Sequence, residues 1–99
     1  MNVYIPDQRR VIEFYGMDAQ AVIHMEECAE LIQAISKMRR LSNAGADDTD
    51  ARCNLLEELA DVLICMKQIQ SMYGIDDREL QSVIDKKCTR QEAQMHEFV

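Results

Sequence analysis

Tryptophan is absent from this 99-residue chain, and only three Tyr and two Phe supply aromatic surface. With 47% hydrophobic residues, the core must therefore be built from aliphatic side chains and the seven Met, which adapt to irregular gaps. Proline occurs once and glycine three times, so turns are few and long regular elements are expected. Basic residues are under-supplied: 11 Lys and Arg stand against 18 Asp and Glu, for a net charge of -7. That balance excludes the basic stripe of a nucleic-acid-binding surface, but not a single anionic nucleotide held through a metal. No apolar run approaches the roughly 18 residues that would span a membrane, and Met1 to Arg10 has no apolar signal segment. The four cysteines form no C-x-x-C pair. Free thiols in a reducing cytoplasm are expected, and a four-cysteine zinc site lacks its spacing.

What is present reads as helix throughout, in one domain over residues 1–99. Pro6 and Asp7 open a short helix to about Tyr15, closed by Gly16. Asp18 caps a long helix to about Arg40, where Arg39 and Arg40 suit the negative end of the helix dipole. Residues 41–51 (LSNAGADDTDA) form the one polar loop. Asp48, Thr49 or Asp50 caps the next helix, which runs to Tyr73 and stops at Gly74. Asp76 or Asp77 caps the last, from Arg78 to about Glu97. β-Branched residues alternate nowhere over a useful length, so the fold class is all-α. Helices of this length expose long apolar stripes, and self-association is expected.

Two of these helices carry acids where acids do not belong. At 100° per residue, Leu55, Leu59, Val62, Leu63, Met66, Ile69 and Tyr73 share one face of the third helix. Glu57 projects away from it, together with Gln68. Glu58 instead falls between Cys65 and Ile69, inside the apolar arc, with Asp61 at the arc's edge. The second helix repeats the arrangement: Cys28, Leu31, Ile32, Ile35 and Met38 form its apolar face. Glu26 points outward beside Lys37, Glu27 falls between Ala34 and Met38, and Glu30 borders the stripe.

An ionised carboxylate taken from water costs several kcal/mol even after relaxation, roughly ten times the cost of like-charged neighbours on an exposed helix. If the two helices pack antiparallel on these faces, the four acids converge. Two such charges about 5 Å apart repel by roughly 3 kcal/mol at an effective dielectric of 20. No Lys or Arg on the same arcs offsets this; a divalent cation would. With oxygen donors only, Mg²⁺ or Mn²⁺ is favoured over Zn²⁺, and Mg²⁺ retains waters and prefers phosphate oxygens. The competing structural reading leaves the acids at a solvated boundary.

The strings EECAE (Glu26, Glu27, Glu30) and EELAD (Glu58, Asp61), 27 residues apart, resemble the E-E-x-x-E and E-x-x-D signature of MazG-like nucleoside triphosphate pyrophosphohydrolases. The apolar frames EECAELIQAISK and LLEELADVLICM match as well, and Lys87-x-x-Arg90 on the last helix is similar to a basic motif that follows in many members. The resemblance covers about residues 18 to 91. It implies a MazG-type four-helix core completed as a homodimer or homotetramer, with Mg²⁺ (or Mn²⁺) held by Glu27, Glu30, Glu58 and Asp61. The implied reaction is water attack on the α–β linkage of a nucleoside triphosphate, releasing pyrophosphate, as in house-cleaning of nucleotide pools. Glu26 is then a base, an outer carboxylate or merely a surface charge, and Lys87 and Arg90 neutralise the leaving group. Gln20 and His24, two turns and one turn before Glu27, are weaker candidates for contacts to base or sugar, and Lys37 for a phosphate. Without Trp, which some members place against the nucleobase, base choice stays open.

Two other readings keep the same fold: a phosphoribosyl-ATP pyrophosphatase-like enzyme, and a non-enzymatic helical regulatory protein. A di-iron carboxylate bundle requires E-x-x-H pairs, which the chain lacks.

Overall fold

The computed structural model describes residues 1–97. Four helices account for most of them: α1 (Arg9–Tyr15), α2 (Met17–Asn43), α3 (Thr49–Tyr73) and α4 (Asp77–His96). No strand occurs among the described residues. The all-α expectation is met, and the ends show how the chain stops each helix. Gly74 adopts the left-handed conformation (φ 64°) that a Cβ would disfavour, and ends α3 where expected. Asp76 caps α4 in a full capping box: its carboxylate accepts from the Glu79 amide at 2.8 Å, and Glu79 accepts from the Asp76 amide at 3.2 Å.

Three starts differ from expectation. Helix α1 begins at Arg9 behind Gln8, not at Pro6 or Asp7, and Asp7 instead accepts from the Arg9 amide at 3.0 Å. Gly16, not Asp18, precedes α2, and Asp18 sits inside the first turn. Asp48 occupies the cap position of α3 without a side-chain bond. Asp47 does that work, accepting from Thr49 N at 3.1 Å and Thr49 Oγ1 at 2.7 Å. The polar loop shrinks to residues 44–48, because α2 continues three residues beyond Arg40.

The chain is organised around the α2·α3 hairpin, on which α1 packs. Along α2 the inward positions are Gln20, His24, Glu27, Leu31, Ala34, Met38 and Leu41, each buried or half-buried. Those along α3 are Ala51, Leu55, Glu58, Val62 and Cys65, then Gln68 with Ile69. Alternating steps of four and three residues are the seam of two helices packed nearly antiparallel. The seam is narrower than the broad apolar faces expected. Ile32 is 68% exposed and Ile35 50%, Cys28 is exposed, and Leu59, Met66 and Tyr73 lie largely outside it. Gln68, expected beside Glu57 on the surface, is instead buried at 4% exposure.

Helix α4 packs against none of the other helices. It is joined to α3 at the corner, where Gln70 Nε2 donates to Asp77 Oδ1 at 2.8 Å. None of its residues is buried, although Leu80, Val83 and Ile84 form an apolar stripe along it.

Ala34 and Ala51 are the most enclosed hydrophobic residues, at 2% and 3% exposure. Ala34→Leu is expected to overpack the seam and lower unfolding free energy by about 1–3 kcal/mol, read by urea denaturation. The exposed Ile32→Ala change in the isolated chain should cost far less.

Candidate metal centre

The hairpin carries each acidic string on its seam, and antiparallel packing brings the two strings to one level. Ligand oxygens of Glu27, Glu58 and Asp61 lie within 4.8 Å of one another. Glu27 and Glu58 are half-buried and Asp61 is exposed. This is the inward and rim arrangement expected from periodicity. Glu30, one turn after Glu27, is exposed and near enough for its charge to act on both buried acids.

Glu27 Oε2 and Glu58 Oε2 are enclosed and have no hydrogen-bond partner. Burial raises the pKa of Glu27 first, and the charges of Asp61 and Glu30 add to it. Burial likewise raises Glu58, followed by the charges of Glu30 and Asp61. Buried polar groups normally find partners, so two orphaned oxygens facing one level of a seam mark a position built for something else. An octahedral Mg²⁺ with oxygens at about 2.1 Å spans about 4.2 Å between opposite ligands, which the Glu27, Glu58 and Asp61 separation accommodates. The donor set is all oxygen and fits such a cation. Cys65, on the seam beyond Val62, has its thiol pushed up to about 11 by burial and then by the Glu27 charge, and it is not among the groups whose ligand atoms converge. All four cysteines are free.

The other expected site residues are dispersed. Gln20 and His24 turn into the seam, 7% and 5% exposed, and do not present polar atoms to a substrate. Gln20 Nε2 donates to Gln68 Oε1 at 2.9 Å, and His24 Nε2 meets the same oxygen at 2.8 Å. Lys37 is exposed, ten residues beyond Glu27 and so about 15 Å along the axis. Among the described residues it forms no ion pair with Glu26 or Glu30. Glu26 is exposed on the outer flank of its string. Lys87 and Arg90 border a shallow depression on α4 with Val83 and Lys86, away from the hairpin in this single chain.

Gln68 was the residue missed. Steps of three and four from Cys65 land on Gln68 and Ile69 together, and the polar character of Gln68 favoured an outward assignment that packing reverses.

Residues 18–95 match the family model of the MazG nucleotide pyrophosphohydrolase domain. No curated protein and no solved structure matches the chain at a stringent threshold.

The raised carboxyls make a sign-definite prediction. Folded Glu27 and Glu58 hold protons to higher pH than their unfolded counterparts near 4.5, so their stabilising contribution is present below that value and is lost as pH rises through the folded pKa. In chelator, the thermal midpoint of Glu58→Gln should exceed that of the parent at pH 7, with the difference closing towards pH 4. Added Mg²⁺ or Mn²⁺ should raise the parent's midpoint and leave Glu58→Gln nearly unmoved.

Proposed function

The chain belongs to the MazG nucleotide pyrophosphohydrolase family, and from this membership and the convergent acids we propose that it cleaves a nucleoside triphosphate to monophosphate and pyrophosphate with Mg²⁺. The observation that carries the proposal is the pair of enclosed, unpartnered oxygens on Glu27 and Glu58, with Asp61 alongside. Glu27, Glu30, Glu58 and Asp61 would hold the cation. When bound, it neutralises phosphate charge and lowers the pKa of an attacking water. Glu26 is exposed on the same string and is therefore suited to pass a proton to bulk solvent. We assign no substrate contact to Gln20 or His24, whose polar atoms are spent within the seam. Lys37 is likewise left without a role.

We further infer that the working form contains a second copy of this chain. A compact monomer of 11.4 kDa exposes about 5,800 Å². This chain exposes 8155 Å², an excess of about 2,400 Å², where a standard interface needs about 800 Å² from each partner. Its radius of gyration, 16.8 Å, likewise exceeds the roughly 12.5 Å of a compact chain this long. The uncovered stripes on α4 (Leu80, Val83, Ile84), α2 (Ile32, Ile35) and α3 (Leu56, Leu59) are mutually suitable. Docking α4 on a partner's hairpin offers Lys87 and Arg90 a route to triphosphate oxygens at an acidic cluster. The enclosed, unpartnered oxygens of Glu27 and Glu58 favour a cation-dependent enzyme over a regulatory protein that keeps only the fold.

Purified protein with Mg²⁺ is expected to release pyrophosphate, not orthophosphate, from at least one member of a panel of canonical and modified nucleotides, phosphoribosyl-ATP included. Glu58→Gln should lower that rate by at least about 10–100-fold, the loss typical of even an outer partner of a metal ligand. Sedimentation should give a dimer or tetramer at micromolar concentration, and Val83→Asp should shift it towards the monomer. A monomeric parent with full activity would overturn the assembly.

A further inference from the structure

The seam between α2 and α3 contains two polar levels that differ in one respect. At the level of Glu27 and Glu58, enclosed oxygens lack partners. At a second level, reached from Glu27 through His24 on α2 and from Glu58 past Val62 and Cys65 on α3, Gln20, His24 and Gln68 are each at least nine-tenths buried, and Gln68 is bonded on both sides of its amide. Gln68 Oε1 accepts from Gln20 Nε2 at 2.9 Å and from His24 Nε2 at 2.8 Å, while Gln68 Nε2 donates to Gln8 Oε1 at 3.1 Å. Because the amide oxygen accepts both bonds from α2, His24 must carry its proton on Nε2. One side chain of α3 thus ties together α2 and the residue that leads into α1.

Stability alone does not call for this network. Apolar side chains of the same shape often do as well as a buried, satisfied polar set, whereas polar groups in a helical seam specify register. The neighbouring level supplies the need for register. His24 precedes Glu27 by three residues, about 4.5 Å along the axis. Like charges there push the helices apart, and the hairpin loop 44–48 begins seventeen residues from Glu27, about 25 Å away. The loop therefore holds the far end of the pair and leaves the acidic level without a nearby covalent restraint.

We propose that Gln68, through its bonds to Gln20, His24 and Gln8, is a positioning residue that holds α2 and α3 at the register and spacing where Glu27 meets Glu58 and Asp61. The proposal rests on the cation reading above. It adds a group that touches neither cation nor nucleotide and acts through the acids' placement.

The test is Mn²⁺ binding to the full chain, followed by electron paramagnetic resonance, with thermal unfolding and amide hydrogen exchange in chelator alongside. Gln68→Leu is expected to stay helical with a metal-free midpoint at or above that of the parent. Its Mn²⁺ affinity should fall at least fivefold, and amides around Glu27 and Asp61 should exchange faster. Gln20→Leu should weaken binding by a smaller factor, and the double variant should be no worse than Gln68→Leu, since Gln20 acts only through its bond to Gln68. Affinity within twofold of the parent in Gln68→Leu would overturn the proposal, as would a loss matched by an equal loss of global stability. Should Gln68→Leu fail to fold, unchanged Mn²⁺ affinity in Gln20→Leu overturns it equally. A parent chain that takes up no Mn²⁺ defeats the cation reading itself, and the role of Gln68 falls with it.

Discussion

Carboxylates in a helical seam are the constraint on which the rest of this protein depends. Glu27 and Glu58 occupy positions that would normally hold Leu, and they bring like charges to one level of the α2·α3 interface. Burial and mutual repulsion both disfavour their ionised forms. Such a level is tolerable only if neighbouring levels hold the helices in place. Ala34, Ala51 and Val62 provide close apolar packing, and the Gln68 network provides directional bonds. Stability is sacrificed at one level, where two enclosed carboxylate oxygens stay without partners, the usual exchange between function and stability at a charged site.

The same economy explains the shape of the single chain. A hairpin with a narrow seam buries little, and α4 adds nothing to its core. Small domains are marginal even when compact. The single chain leaves Ile32, Leu56 and the apolar stripe of α4 uncovered, which is why the proposed assembly draws on a second copy. In one chain the cations Lys87 and Arg90 of α4 stand apart from the acids of the hairpin.

Much of this was legible beforehand. Periodicity placed Glu27 and Glu58 inward, with Glu30 and Asp61 beside them, because a charged residue at a seam position stands out against apolar neighbours. The stop at Gly74 and the cap at Asp76 followed from backbone chemistry that needs no tertiary context. Gln68 was misplaced for the converse reason: an uncharged polar residue at the edge of an arc can be buried if a partner reaches it. That partner, Gln20, lies 48 residues away. The widths of the apolar faces were also overestimated, since hydrophobicity marks what must be covered without saying which molecule covers it.

Local and periodic information in the chain was therefore sufficient for four helices, the stop at Gly74, the cap at Asp76, and the inward direction of two acids. Packing supplied what no single helix encodes: the level at which the two acidic strings meet, the oxygens left without partners, and the bonds of Gln68 across the seam. The division has a physical cause. Helix formation and side-chain direction are set within a few residues, whereas register between helices depends on groups far apart in the chain. The acids were chosen locally, and their meeting was arranged at a distance.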